Sequence, residues 1–138
     1  MLFTASELSE SEAGVIEPRL LAHIGDAVFH LYERERELQS AQTVSQLHMA
    51  TTRRASAAAQ ADLLDSLAER LRPKEQDLVR RARNIKPQRQ HRNDQAAYRK
   101  STAFEALIGY LYLTDGQRLK QLLDWTLPEG SKSAPSLE

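Results

Sequence analysis

The chain contains no cysteine among its 138 residues, which excludes disulfide bonds and thiolate metal ligands. Any bound metal must therefore be held by oxygen or by histidine. The absence of cysteine also fits a reducing cytoplasm, where we expect the protein to act. No run approaches the ~18 to 20 apolar residues of a membrane span, and residues 1–7 lack the basic and apolar segments of a signal peptide. We therefore expect no membrane association.

Glycine and proline are also scarce, with five of each, and long segments have the apolar periodicity of helices. No alternating strand pattern stands out, so we predict an all-α fold. The chain is long enough for one domain with a real core, which we place at residues 1–127. The remaining 128–138, rich in serine and proline, are predicted to be a disordered tail.

Caps and proline positions divide the domain into six predicted helices. The first runs from Pro18 to about Glu37, the second begins at Val44 after the cap Thr43, and the third begins after the cap Ser56. The other three run from Pro73 to about Ala82, from Ala96 to Thr114 and from Leu119 to Leu127. We predict an exposed loop over 84–95 and a turn at Asp115-Gly116. The apolar face expected for the first helix comprises Leu20, Leu21, Ile24, Val28, Leu31 and Tyr32.

Glu105 is the one charge within an otherwise apolar stretch, residues 103–113. The apolar residues cover nearly every direction of the helical wheel, which indicates a buried helix. An ionised carboxylate there is costly unless a cation or a metal compensates it. A buried pair with an arginine, or a tyrosine hydrogen bond, explains it equally well.

Asp26 is a second isolated carboxylate, within Ile24-Gly25-Asp26-Ala27-Val28-Phe29. Carboxylates on two crossing helices are the minimum set for a divalent cation, with waters and substrate phosphate oxygens as the other ligands. Helical periodicity alone places Asp26 on a solvated polar face. His23 and His30 share that face, and the three side chains would suit either a transition-metal site or an ordinary amphipathic surface.

The zero net charge conceals one basic segment, from Arg80 to Asn93, with six bases and no acid. The rest of the chain carries thirteen bases against nineteen acids. Such a segment favours local phosphate binding, although a solvated helix end and loop is the alternative.

Several motifs together resemble the ribonuclease III family. Leu21-Ala22-His23-Ile24-Gly25-Asp26-Ala27-Val28 is similar to its signature helix, and residues 102–113 resemble its second metal-binding helix. The Mini-III branch, which has the catalytic domain alone, is more similar still. It shares the segment Arg81-Ala82-Arg83-Asn84-Ile85-Lys86, and the order Asn93-Asp94, Tyr98-Arg99 and Ser101 to Glu105. The resemblance covers residues 18 to 127.

The resemblance implies that Asp26 and Glu105 are metal-binding catalytic carboxylates and that Asp94 supports them. Larger members of the family have a glutamate in place of Ala22 and an aspartate in place of Thr102. Mini-III enzymes share both of these losses. A further departure is Ala82, where that branch usually has glycine.

The resemblance also implies a homodimer that cleaves double-stranded RNA with Mg²⁺, for which Mn²⁺ can substitute. The RNA would be the ends of the 23S ribosomal RNA precursor, with a ribosomal protein as a possible further partner. We expect RNA contacts from the basic segment: Arg80, Arg81, Arg83, Asn84, Lys86, Arg89 and Arg92. Two rival interpretations are an RNA-binding scaffold of the same fold that has lost catalysis, and a helical protein–protein adaptor. Both carboxylates are present, which favours the enzyme.

Overall fold

The computed structural model of the protein describes residues 6–85 and 95–128, and its regular structure there is entirely helical. This confirms the all-α prediction. The helices are α1 (Glu10–Gly14), α2 (Pro18–Leu38), α3 (Val44–Ala55), α4 (Ala57–Leu67), α5 (Pro73–Arg83), α6 (Gln95–Thr114) and α7 (Gly116–Trp125), with a 3₁₀ turn at Ala68–Arg70. No helix within the described ranges is long and apolar enough to cross a bilayer. The predicted tail lies outside the described residues except for Pro128, and so does most of the predicted loop.

Local capping chemistry sets most of these boundaries as predicted. The side chains of Thr43 and Ser56 accept hydrogen bonds from the first turns of α3 and α4, and prolines begin α2 and α5. The last helix was predicted to begin three residues too late. Asp115 is a cap and not part of a turn, because its Oδ1 accepts from the Arg118 backbone N–H at 3.0 Å.

Helix α1 was not predicted at all. Its five residues begin with a capping box, in which Ser9 and Glu12 bond each other's backbone N–H groups at 3.1 and 3.0 Å. A single turn is too short to show an apolar period, so only the cap could have indicated it.

Helix α6 is the centre of the fold and packs against α2, α4 and α5. It is buried from Ala106 to Leu111 as well as at Ala103 and Phe104, which confirms the predicted buried helix. Phe104 meets Phe29 of α2 edge to face, with ring centroids 5.1 Å apart. The position of α6 places every part of it, including Glu105, beside a neighbouring helix.

The predicted apolar face of α2 is partly wrong. Leu20 and Leu31 are 59% and 50% exposed, and Ile24 is also exposed. The buried side of the helix instead comprises Leu21, Ala22, Gly25, Phe29 and Glu33. Two features explain why a different face of α2 is buried from the one predicted. Small residues allow α2 to approach α6 closely, and Glu33 can be buried because it is paired.

Glu33 is fully buried and joins three parts of the chain. Arg36 and Arg54 contact its two carboxylate oxygens at 2.8 and 3.0 Å. The Arg54 guanidinium also donates to the backbone oxygen of Thr126, just beyond α7. The buried charge therefore connects α2, α3 and the end of α7, and a hydrophobicity pattern gives no sign of it.

A second buried ion pair fixes α7 to α5. Arg118 holds Glu75 through two hydrogen bonds of 2.8 and 2.9 Å, and both side chains are buried. Arg118 also lies over the ring of Trp125, 5.2 Å from its centroid, while Arg70 lies 4.7 Å from the same ring.

Candidate active site

A pair of glycines sets the distance between α2 and α6. A Cβ atom built on Gly25 would lie 1.7 Å from the Glu105 backbone oxygen, and one built on Gly109 would lie 2.0 Å from the Leu21 backbone oxygen. No real side chain fits at such distances, so the two backbones touch at this crossing. The crossing is the local cause of the site, because Asp26 directly follows Gly25 and Glu105 precedes Gly109 by one helical turn.

Asp26 and Glu105 meet beside the crossing, where their carboxyl groups are close enough to interact directly. Both line a cavity of about 360 Å³. The Asp26 side chain is 55% exposed, whereas Glu105 is mostly buried. The structure thus brings together the two carboxylates that sequence reasoning had singled out on separate helices.

The environment of Glu105 raises its pKa from the ordinary 4.5 to about 9. Burial is the largest cause, followed by the hydrogen bond and the charge repulsion from Asp26. The amide of Gln60 acts in the opposite sense and lowers the pKa. At neutral pH the Glu105 carboxyl therefore retains its proton.

An ion pair between Glu105 and an arginine does not fit this arrangement, because such a pair would hold the pKa of Glu105 low, whereas it is raised. Besides burial, the influences on the Glu105 carboxyl come from Asp26 and Gln60. Asp26 has a further neighbour in His30, whose Nε2 lies 3.4 Å from its Oδ1. Among residues 6–85 and 95–128 no three histidine or acidic side chains cluster as a metal site, so the transition-metal interpretation finds no support.

The donor set fits one hard divalent cation completed by other oxygens. Both protein ligands are carboxylates, which Mg²⁺ prefers. The repulsion from Asp26 that helps to raise the pKa of Glu105 would be relieved if a dication took the place of the Glu105 proton. The fit is thus a matter of charge as well as of ligand type.

The cavity also contains the two positions at which the chain lacks a carboxylate. Ala22 and Thr102 both line it, beside Asp26 and Glu105. Acidic side chains at these positions would have faced the same space. Their absence leaves two protein carboxylates in the described part of the site.

Several residues of the cavity were not predicted as site residues. They include the cations Arg19 and Arg99, with Tyr98, whereas His23, which also lines the cavity, had been considered only as a transition-metal ligand. Arg19 lies two helical turns before Asp26 on the same face of α2, and Tyr98 lies two turns before Glu105 on α6. That spacing was the available signal, although it does not distinguish a site residue from an ordinary surface residue.

The residues predicted to contact RNA lie partly at the end of α5. Arg83 and Asn84 are exposed there, while Arg80 and Arg81 both pair with Asp77. The other predicted residues, Lys86, Arg89, Arg92 and the supporting carboxylate Asp94, lie outside the described residues.

A model of the Ribonuclease III domain matches residues 19–116, which is most of the chain and includes both carboxylates. The chain belongs to the ribonuclease III family. Proteins named Mini-ribonuclease 3 are similar over most of their length. One from a Synechococcus strain is 40% identical over 84% of each chain, one from a Thermoanaerobacter strain is 42% identical over 79% of each, and one from Gloeobacter violaceus is 44% identical over 75% of this chain and 76% of its own.

A crystal structure of a Fusobacterium nucleatum protein supports the ribonuclease III fold. It superposes with a TM-score of 0.72 at 24% identity and covers 78% of this chain and 90% of its own. The resemblance of the sequence to the Mini-III branch of ribonuclease III is therefore confirmed, and so is the fold it implied.

Proposed function

We propose that this ribonuclease III family member is an endoribonuclease that hydrolyses phosphodiester bonds in double-stranded RNA with Mg²⁺. The observation that carries the proposal is the pair Asp26 and Glu105, which line one cavity beside a glycine crossing and raise the pKa of Glu105 between them. A scaffold that only binds RNA gains nothing from this repulsive pair, whose cost a dication removes.

Mg²⁺ bound at the pair would supply an activated water and neutralise charge on the leaving oxygen. Asp26 and Glu105 would hold the cation, and Glu105 would have to release its proton to do so. Since the pKa of Glu105 is raised to about 9, binding requires proton release and strengthens as the pH rises toward that value. Arg19 and Arg99 line the same cavity and bring positive charge to the place that a phosphodiester would enter.

The exposed end of α5 supports an RNA contact. Double-stranded RNA is recognised mainly through shape, phosphates and 2′-hydroxyls, so a basic surface suffices for docking. We expect a variant with Arg83→Ala and Lys86→Ala to bind RNA duplexes more weakly, whatever the sequence of the RNA. Each lost phosphate contact should also reduce the slope of log affinity against log salt by roughly 1. Fluorescence anisotropy of a labelled duplex over a salt series measures both quantities.

The matched control removes two charges elsewhere, with Arg53→Ala and Lys120→Ala. Both residues are exposed and lie outside the basic segment, on α3 and α7. If the control reduces affinity and salt slope as much as the first variant does, the basic segment is not the RNA contact.

An exposed apolar stripe on α2 supports a homodimer. Leu20, Ile24 and Leu31 fall on one face at helical spacing, and all three are exposed. We propose that a second copy covers this face. Leu31→Glu should raise the dimer dissociation constant by about 30-fold or more, as for truncation of a central interface residue. Sedimentation equilibrium measures it. Val15→Glu, at an apolar residue that is 86% exposed off this stripe, should leave the constant unchanged.

The test of the function uses two RNA duplexes of equal length, one formed by the ends of a 23S ribosomal RNA precursor. Each is incubated with the protein in Mg²⁺, in Mn²⁺ and in chelator. We expect metal-dependent cleavage to fragments with short 3′ overhangs, faster for the precursor. Binding without cleavage would instead identify a scaffold. The absence of both binding and cleavage would identify an adaptor.

Equal cleavage rates on both duplexes would reject the precursor as the preferred substrate. A rate increase on adding the ribosomal proteins that bind that RNA would support a protein partner.

A further inference from the structure

A buried glutamine on α4 lies behind the carboxylate pair. Gln60 is 1% exposed, although glutamine is usually a surface residue. Its Oε1 accepts a hydrogen bond of 2.6 Å from the hydroxyl of Ser101, which is itself buried on α6. A buried amide is normally retained only where its polar atoms have partners.

The other half of the amide faces a different partner. With Oε1 held by Ser101, the Gln60 Nε2 must point away from that hydroxyl. Nε2 is buried and makes no hydrogen bond of normal geometry, yet the side chain interacts with Glu105 and lowers its pKa. Ser101 precedes Glu105 by one helical turn on the same face of α6, so hydroxyl and carboxyl are presented to Gln60 together.

A buried N–H donor without a partner is costly, so the unpartnered Nε2 of Gln60 is available to an acceptor beside it. Once ionised, a carboxylate has two acceptor oxygens and can accept from an N–H while it faces a cation. Outer hydrogen-bond partners of this kind orient metal-binding carboxylates.

We propose that Gln60 is a positioning residue for Glu105, and that Ser101 fixes its amide so that Nε2 donates to the Glu105 carboxylate. The inference rests on the proposed function, because it concerns the state of Glu105 that holds a divalent cation. Gln60 is neutral, so it stabilises the ionised carboxylate without competing for the metal. It comes from a third helix and couples the packing of α4 to the site on α2 and α6.

The test measures Mn²⁺ binding to the RNA-free protein by water-proton relaxation, alongside kcat and KM for duplex cleavage. Gln60→Leu removes the donor and keeps an apolar filling. We expect it to weaken Mn²⁺ binding by roughly 10- to 100-fold and to lower kcat, with KM for RNA nearly unchanged. Ser101→Ala retains the Gln60 amide but removes the hydroxyl that holds it in place, and should weaken Mn²⁺ binding by a smaller factor. Ser101→Thr retains the hydroxyl and should restore binding toward that of the unaltered protein.

Asp65→Asn is the matched control. It removes the negative charge of a polar contact between the same two helices, the 3.0 Å ion pair of Asp65 with Lys100, at a position that does not line the carboxylate cavity. Thermal unfolding of every variant reports the packing. We expect Asp65→Asn to keep the Mn²⁺ affinity of the unaltered protein.

Folded Gln60→Leu protein with unaltered Mn²⁺ affinity would overturn the inference. If Gln60→Leu does not fold, Ser101→Ala decides, and unaltered Mn²⁺ affinity there overturns it as well. Failure of the proposed function is a separate outcome. It is recognised when the unaltered protein binds no Mn²⁺, or when Glu105→Gln binds Mn²⁺ as well as the unaltered protein does.

Discussion

Replacing Glu105 by glutamine should abolish RNA cleavage and at the same time stabilise the fold at neutral and alkaline pH. The loss of activity follows from removing one of two carboxylates that hold the cation. Metal stabilisation of the transition state is worth several kcal/mol, so we expect a decrease in kcat of about 10³-fold or more. The gain in stability follows from the pKa of Glu105, which is raised to about 9 by burial and by Asp26.

The sign of the pH dependence is fixed by that raised pKa. Below the unfolded-state pKa of about 4.5 the carboxyl is protonated in both states, and the substitution changes little. Between about pH 5 and pH 9 the unfolded chain releases the proton while the folded protein retains it, so the stability of the unaltered protein falls as pH rises. Glutamine does not titrate, and the difference in Tm between the two proteins should therefore grow over this range.

Duplex cleavage and thermal unfolding in metal-free buffer at pH 5, 7 and 8.5 measure both effects. Asp26→Asn is the matched comparison, since it should also abolish cleavage. Retained Mg²⁺-dependent cleavage in purified Glu105→Gln protein would contradict the site. A Tm difference independent of pH would contradict the raised pKa.

The second large effect concerns Gly25, where a single methyl group should disrupt both fold and site. A Cβ there meets the Glu105 carbonyl oxygen at 1.7 Å and the Gly109 backbone nitrogen at 2.8 Å, and neither is the end of a flexible side chain. The two helices must separate, and overpacking of this kind costs about 3 kcal/mol or more. For a chain of this size that corresponds to a decrease in Tm of roughly 10 °C. Any surviving folded Gly25→Ala protein should be inactive, because the carboxylates move with the backbones.

Gly116→Ala is the control for this prediction. No atom lies within 4 Å of a Cβ built on Gly116, in the first turn of α7. Alanine is favoured over glycine in a helix, so Tm should stay constant or rise slightly. Differential scanning calorimetry distinguishes the two variants. Gly25→Ala protein as stable as the Gly116→Ala control would show that α2 and α6 are farther apart than described.

The helices were predictable from the sequence because their signals are local. Thr43, Ser56 and Pro73 act within one turn of their own position, and the structure begins three helices there. The orientation of α2 was not predictable in this way. Whether Glu33 faces the core depends on Arg54, which lies on another helix, and whether Gly25 can touch α6 depends on Gly109, far along the chain. Periodicity within α2 carries neither piece of information.

The residues of the candidate site differ in the same way, since some have a local sequence signal and others depend on contacts with distant parts of the chain. Glu105 was identified by its own surroundings, one charge in an apolar helix. Asp26 had a weaker signal, because it is an isolated charge in a short apolar run but helical periodicity placed it on an ordinary polar face, and the family resemblance strengthened its pairing with Glu105. Gln60 and Arg99 were missed because each contributes to the site only through its neighbours in the fold.

The chain has a single tryptophan, and its position makes the protein its own optical reporter. The guanidinium groups of Arg70 and Arg118 both lie over the indole of Trp125, and Arg118 is held by Glu75 on α5. Indole emission is sensitive to nearby charge and to water. Departure of α7 from α5 would therefore change the fluorescence without any attached label. Far-ultraviolet circular dichroism, which averages over all the helices, can be recorded on the same sample, so that loss of α7 docking and loss of the α6 core are distinguished in one titration.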